Sequence, residues 1–359
     1  MELLTLDCLG QPLRLEASTA GWQALFWNNQ RVSELQADGP HYQHQFQLQT
    51  EEKVIHCRIE VELLWQPFTL NYRLFIDDIL QTQGTRTTQD IERQQPSPGA
   101  APKPKPPFNW VGIGILGFKL LKSAKVIKAV LAGASLAAYS WLFSIQFALA
   151  LLGCLVIHEY GHIRAMRYFG MPTKGIYLIP FVGGLAVGGD RVNTRWQTVV
   201  IAMMGPCFGL LLSLVCLLAY WISAEPFFAG LAAFNALLNL FNLLPILPLD
   251  GGHVLKSISF SMNSTLGILA CAAAAALGVF ISYSFGLALL GFLLLIGSLE
   301  ILFEWRSRHQ NMLLPLDRYG QLFSTIWYLL TVGGLVGIIS YFAGTGDAIL
   351  GLPLKVLQS

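Results

Sequence analysis

The chain has 359 residues, with 54% hydrophobic and only 12% charged side chains and a formal net charge of +2. Its mean hydropathy of +0.53 excludes an ordinary water-soluble protein over most of its length. The near-neutral total hides an asymmetry, since residues 1–97 carry 13 acidic and 7 basic side chains while the rest carries 8 and 16. A strongly basic nucleic-acid surface is therefore not implied, and no nucleic-acid partner is expected. The pattern is that of a soluble N-terminal domain joined to a polytopic membrane domain.

Residues 1–93 read as strands. CRIEVELLW (57–65) and LNYRLFIDDIL (70–80) are rich in β-branched, aromatic and alternating apolar residues, with shorter candidates at 21–29 and 44–50. Such short strands predict a small β-sandwich or barrel. His41, His44 and His56 fall here, and scattered histidines of this kind read as strand residues rather than a second metal site. The amino terminus has no basic start followed by an apolar core, so no cleavable signal peptide is read. The six cysteines form no CxxC pair, and four lie in apolar segments, as small buried hydrophobes do.

Residues 94–107 (QQPSPGAAPKPKPP) form a Pro-rich, semi-rigid linker. In 108–128 four lysines, Lys119, Lys122, Lys125 and Lys128, recur every third residue, which predicts a basic helix lying at the bilayer interface. Apolar runs then predict spans near 126–141, 144–162, 197–222, 227–244, 265–283, 285–303 and 322–342. If the 158–162 end of the second span faces the cytoplasm, fifteen basic residues of the membrane half lie on that side and only Lys355 on the other. The positive-inside rule thus places residues 1–93 in the cytoplasm.

The second span ends in His158-Glu159-Tyr160-Gly161-His162. Residues four apart share a helical face, so both imidazoles can point at one metal ion. Glu159 beside them is suited to take a proton from water without being a ligand. Ionisable groups inside an apolar segment are expensive and functional by default. A hydrolytic zinc site needs a third protein ligand and an open position. The fourth span runs into Asn242-Leu-Leu-Pro245-Ile-Leu-Pro248-Leu-Asp250-Gly251-Gly252, and Asp250 is the only acidic residue between Glu225 and Glu300. The prolines bar a regular helix there, and Gly-Gly is expected to turn the chain sharply. Taken alone, Asp250 would read as a turn residue at a helix end.

Together, HEYGH and the Asn242–Gly252 block resemble the site-2 protease family of intramembrane zinc metalloproteases, over roughly residues 122–259. The resemblance implies Zn2+ held by His158, His162 and Asp250, Glu159 as general base, and Asn242 positioning substrate or its oxyanion. Asn239, one turn earlier, lacks the three-residue offset to Pro245 that marks the family asparagine. Gly175–Gly189 is too short and Gly-rich to span, and in relatives a strand hairpin enters the membrane there. Gly205-Pro206 resembles a family pair that packs closely beside the site. The expected fold is a polytopic α-helical membrane protein of about six or seven spans. It has a site-2 protease-like core over 126–260 with a membrane-inserted β-hairpin, further spans over 261–359, and a small soluble N-terminal β domain. The implied activity is regulated intramembrane proteolysis of a single-span protein or pre-cut stub, in a bacterial inner membrane. The rival is a non-catalytic zinc-binding membrane protein, a transporter or sensor, with the same ligands. No oligomeric state is implied.

Overall fold

A computed structural model describes residues 1–94 (apart from 20, 37–38 and 50–53), 124–179 (apart from 143), 183–188, 192–284 (apart from 263), 297 and 313–343. Alternation dominates the N-terminal part. In β5 (His41–Gln49) every second side chain is buried, as a strand with one wet face requires. Strands β1 (Glu2–Cys8), β2 (Gln11–Ala17), β3 (Trp22–Trp27) and β4 (Gln30–Gln36) form one antiparallel meander. A second contains β5, β6 (Val54–Trp65), β7 (Phe68–Ile76) and β8 (Ile79–Thr87). Their apolar faces share one core, including Leu13, Leu15 and Leu25 from the first sheet and Ile59, Leu70 and Leu74 from the second. Two separate sheets make this a sandwich rather than a barrel.

Three hairpins close on two-residue turns, Leu9-Gly10, Asn28-Asn29 and Asp77-Asp78, whose residues all have positive φ. That is the backbone twist tight hairpins favour. The Asp77-Asp78 turn divides the 70–80 stretch, expected as one strand, between β7 and β8. Two acidic residues in the left-handed region make the turn, so the apolar residues on either side belong to different strands.

His44 lies fully buried between the sheets. One ring nitrogen meets Ser33 Oγ at 3.0 Å and the other Gln23 Oε1 at 3.1 Å. Burial pushes its pKa down to about 4. A histidine whose folded pKa lies below its unfolded value of about 6.5 contributes full stability above 6.5 and loses it as pH falls toward 4. We predict that the folded-to-unfolded ratio of the sandwich, followed by urea denaturation of the full chain, drops roughly tenfold per pH unit across that window. His44→Gln should flatten this dependence.

The membrane part contains α2 (Ala124–Leu142), α3 (Ile145–Tyr168), α4 (Arg195–Ser223), α5 (Pro226–Asn242), α6 (Asp250–Met262), α7 (Ser264–Ser284) and α8 (Arg318–Ala343). Among the described residues three helices, α3, α4 and α8, are long and apolar enough to cross a membrane. The 17 residues of α5 fall short, reaching about 25 Å at ~1.5 Å per residue. The expected sixth span, the linker and most of the interfacial helix lie outside the described residues. On α4, Leu211, Val215, Leu218 and Ile222 form an exposed apolar stripe, the inverse of a water-soluble helix. Strands β9 (Thr173–Ile179) and β10 (Gly183–Gly188) pair as an antiparallel hairpin beside α3, where the sequence suggests one.

The sandwich is fastened to this bundle. After β8, the short α1 (Thr88–Glu92) ends with its carbonyls facing the start of α4. Asn193 Nδ2 donates to Ile91 O at 3.0 Å and to Gln94 O at 2.9 Å, and Gln197 Nε2 donates to Glu92 O at 2.9 Å. Backbone pairing of Arg195 N with Leu314 O, and of Leu314 N with Asn193 O, adds a strand-like bridge. Leu314 packs into the sandwich core while Leu316 packs into the helical core, so three residues of chain span both. Each side-chain bond is worth about 0.5–1.5 kcal/mol. The double variant Asn193→Ala/Gln197→Ala should therefore speed proteolytic release of the sandwich by roughly tenfold or more, with helical circular dichroism unchanged.

Candidate metal centre

Helix α3 carries His158, Glu159 and His162, all buried, at 2%, 4% and 7% exposure. Their shared face is turned inward because Gly161 and Gly205 let α3 and α4 touch backbone to backbone. A Cβ on Gly161 would collide with Met204 O, and one on Gly205 with the His162 ring. The Gly205-Pro206 pair thus gives close packing beside the histidines, Pro206 lying inside α4.

Asp250 reaches the same point from α6. The chain leaves α5 at Asn242, passes Pro245 and Pro248, and re-enters helix at Asp250. Gly251 and Gly252 are helical, not the sharp turn expected from the sequence. They serve close approach instead, because a Cβ on Gly251 would strike Leu243 O and one on Gly252 the Ile246–Leu247 peptide. Tyr328 of α8 donates to that same Leu243 carbonyl at 2.6 Å, holding the end of α5 in place.

Three atoms converge. His158 Nε2 and His162 Nε2 are 3.1 Å apart, and Asp250 Oδ2 lies 3.3 Å from the first and 3.5 Å from the second. The far side of each ring settles which nitrogen is bare. His162 Nδ1 is 2.7 Å from Ile201 O, a carbonyl that can only accept, so Nδ1 holds the proton. His158 Nδ1 is 2.7 Å from Asn239 Oδ1. In the neutral rings two imidazole lone pairs and a carboxylate oxygen therefore face one another with no hydrogen between them. Such a set calls for one shared cation. A tetrahedral ion bound at about 2.0–2.1 Å leaves its donors about 3.3 Å apart, so the triangle fits one. Glu159 Oε1 is 4.0 Å from His158 Nε2, beside the triangle. Among the described residues, the ligand atoms of His158, Glu159 and His162 also lie within 4.8 Å of one another, close enough to hold a metal.

The structure thus brings together His158, His162 and Asp250 from two stretches 88 residues or more apart in sequence, with Glu159 adjacent. Asn242 is half-buried at the last position of α5, and the asparagine touching the histidine pair is Asn239. Its polar neighbour Asn235, four residues earlier, is the signal a helical reading of α5 offers, since both lie on one buried face.

The profile of peptidase family M50 matches residues 146–225 and 221–289. This segment, which holds His158, His162 and Asp250, is thus similar to the M50 peptidases. Its relatives include a Synechocystis protein named as a zinc metalloprotease, 38% identical over 136 residues, or 36% of this chain and 36% of the relative. Rip3 of Mycobacterium tuberculosis, also named as a zinc metalloprotease, is 30% identical over 166 residues, 42% of this chain and 39% of the relative. Stage IV sporulation protein FB of Bacillus subtilis is 30% identical over 190 residues, 48% of this chain and 63% of the relative. The chain thus spans between about a third and two thirds of the length of these proteins. The N-terminal sandwich lies outside the family match.

Gly205 borders the donor triangle, with His158 Cε1 at 3.0 Å from where its Cβ would stand and the His162 ring nearer still. Gly205→Ala should lower metal affinity by about tenfold or more, as disturbed ligand support does. Cobalt(II) titration of the detergent-purified protein would read this.

Proposed function

We propose that this protein is a zinc-dependent intramembrane protease that hydrolyses a peptide bond within or near the transmembrane segment of another membrane protein. One observation carries the reading: two imidazole nitrogens and a carboxylate oxygen converge in a buried, apolar setting with a second carboxylate, Glu159, beside them. The family match and the relatives' names support the chemistry and the choice of zinc.

His158, His162 and Asp250 would hold the ion. Zinc, when bound, supplies a Lewis acid for the scissile carbonyl and makes water acidic enough to ionise near neutral pH. Glu159 takes the proton of the attacking water and delivers it to the departing nitrogen, a transfer worth about 10²–10⁴ in rate. Ile201 O and Asn239 Oδ1 keep the two rings in the tautomer that leaves Nε2 bare. Asn242, at the mouth of the same helix, orients the substrate carbonyl. The β9–β10 hairpin offers backbone hydrogen bonds to a substrate that has unwound locally, adding it as another strand.

The substrate class is a single-span membrane protein or a stub left by an earlier cut, engaged from the bilayer. Basic residues gather at the 158–162 end of the bundle, which supports an orientation with residues 1–93 in the cytoplasm; the protein is proposed to lie in an inner membrane with about six or seven spans.

Glu159→Gln separates this reading from a zinc transporter or sensor. The variant should keep about one zinc per chain and lose cleavage of a membrane-peptide substrate by at least a hundredfold. His158→Ala and Asp250→Ala should each lose the zinc itself. Undiminished cleavage by Glu159→Gln would sink the mechanism.

A further inference from the structure

We infer that Asn239 is a positioning residue for the metal centre, fixing the tautomer and aim of His158 through a buried amide relay that ends in the backbone of α4. The inference rests on the zinc-protease reading of His158 and extends it to groups on the far side of the ring.

The relay can be followed atom by atom. Asn239 Oδ1 lies 2.7 Å from His158 Nδ1. Amide orientation is not arbitrary here, because Asn239 Nδ2 donates to Asn235 O at 2.8 Å, an atom that can only accept, and to Asn235 Oδ1 at 3.1 Å. The nitrogen end is therefore committed to α5 and the oxygen end must face the imidazole. Asn235 is oriented in turn, its Nδ2 donating to Gly209 O at 2.8 Å and to Ser213 Oγ at 2.7 Å. Asn235, Asn239 and Ser213 are all fully buried at 0% exposure. In an apolar interior each link excludes the flipped alternative, which would set carbonyl against carbonyl.

Packing gives the same answer. Gly209 leaves a slot in α4 that the Asn239 amide fills, since a Cβ on Gly209 would overlap that amide. Histidine ligands generally donate their other N–H to a carbonyl or carboxylate, which fixes the ring and raises its basicity. His162 does so with a backbone carbonyl, Ile201 O. His158 has a side chain in that place, so its support can be removed by mutation.

The test compares wild type, Asn239→Leu and Asn239→Asp as full-length protein in detergent, with zinc affinity read by chelator competition. Asn239→Leu keeps the volume and removes the acceptor, and should bind zinc about 10–100-fold more weakly. Asn239→Asp restores the acceptor toward His158 but sets its second oxygen against Asn235 O, so it should bind zinc more tightly than Asn239→Leu yet more weakly than wild type. Wild-type affinity in a folded Asn239→Leu would overturn the proposal. Should that variant fail to fold, the tautomer of wild-type His158 decides instead. Nitrogen NMR of the metal-free protein reads the tautomer directly: wild-type His158 should carry its proton on Nδ1. A wild type without zinc but with that tautomer would refute the protease reading and leave the relay standing, whereas a proton on Nε2 would refute the relay.

Discussion

Three electron-rich atoms held within 3.5 Å of one another in an apolar bundle are the constraint on which the helical half depends. Left to themselves they would repel or take up water, and burial removes the solvent that would otherwise screen them. The arrangement persists because each donor is pinned from behind. Ile201 O and Asn239 Oδ1 hold the rings, and α6 begins at Asp250, so the carboxylate stands at a helix N-terminus where the partial positive charge favours it. The donors are thus held by a backbone carbonyl, a side-chain amide and a helix terminus.

Bringing those backbones together is a packing problem that hydrophobicity does not solve, since lipid tails are as apolar as leucine. Glycine solves it. Gly161 meets Met204 O, Gly205 meets the His162 ring, Gly209 meets Asn239, and Gly251 and Gly252 meet the Leu243–Leu247 segment. The helices that deliver the metal donors, α3 and α6, and α4 beside them each have glycine where they touch a neighbour. The small residues that look like weak points in helix propensity are the contacts that set ligand geometry.

Much of this was legible in the sequence, for identifiable reasons. His158 and His162 announce themselves because four-residue spacing is a local property, and Asp250 because an isolated acid in an apolar half is rare. Asn239 could not be picked out with equal force. Its partner is 81 residues away, and offset to proline, the local cue, points to Asn242 instead. Gly251-Gly252 misled for a related reason. A glycine pair signals either a turn or a close contact, and only the neighbouring Leu243 carbonyl decides which. In the sandwich, alternation revealed strands, but Asp77-Asp78 was absorbed into one because the apolar residues around it continue the pattern. The N-terminal sandwich also shows no chemistry of its own in sequence, and its role in the architecture becomes visible only at the seam.

That seam bears on the site by simple helical geometry. Gln197, which holds the Glu92 carbonyl of the sandwich, and Ile201, whose carbonyl holds His162, are four residues apart on α4. They occupy one face of the same helix, about one turn or ~6 Å from each other. Gln197 is fully buried and also closes the capping box of α4 with Thr194, so the first turn that carries the sandwich is itself rigid. Arg195 stacks over Phe260 of α6, the helix that starts at Asp250, with 5.0 Å from its guanidinium carbon to the ring centroid. The turn of helix that receives the sandwich therefore touches the helix that delivers the aspartate and lies one turn from the carbonyl that holds the second histidine. The joint of the sandwich and the support of His162 thus share one face of α4.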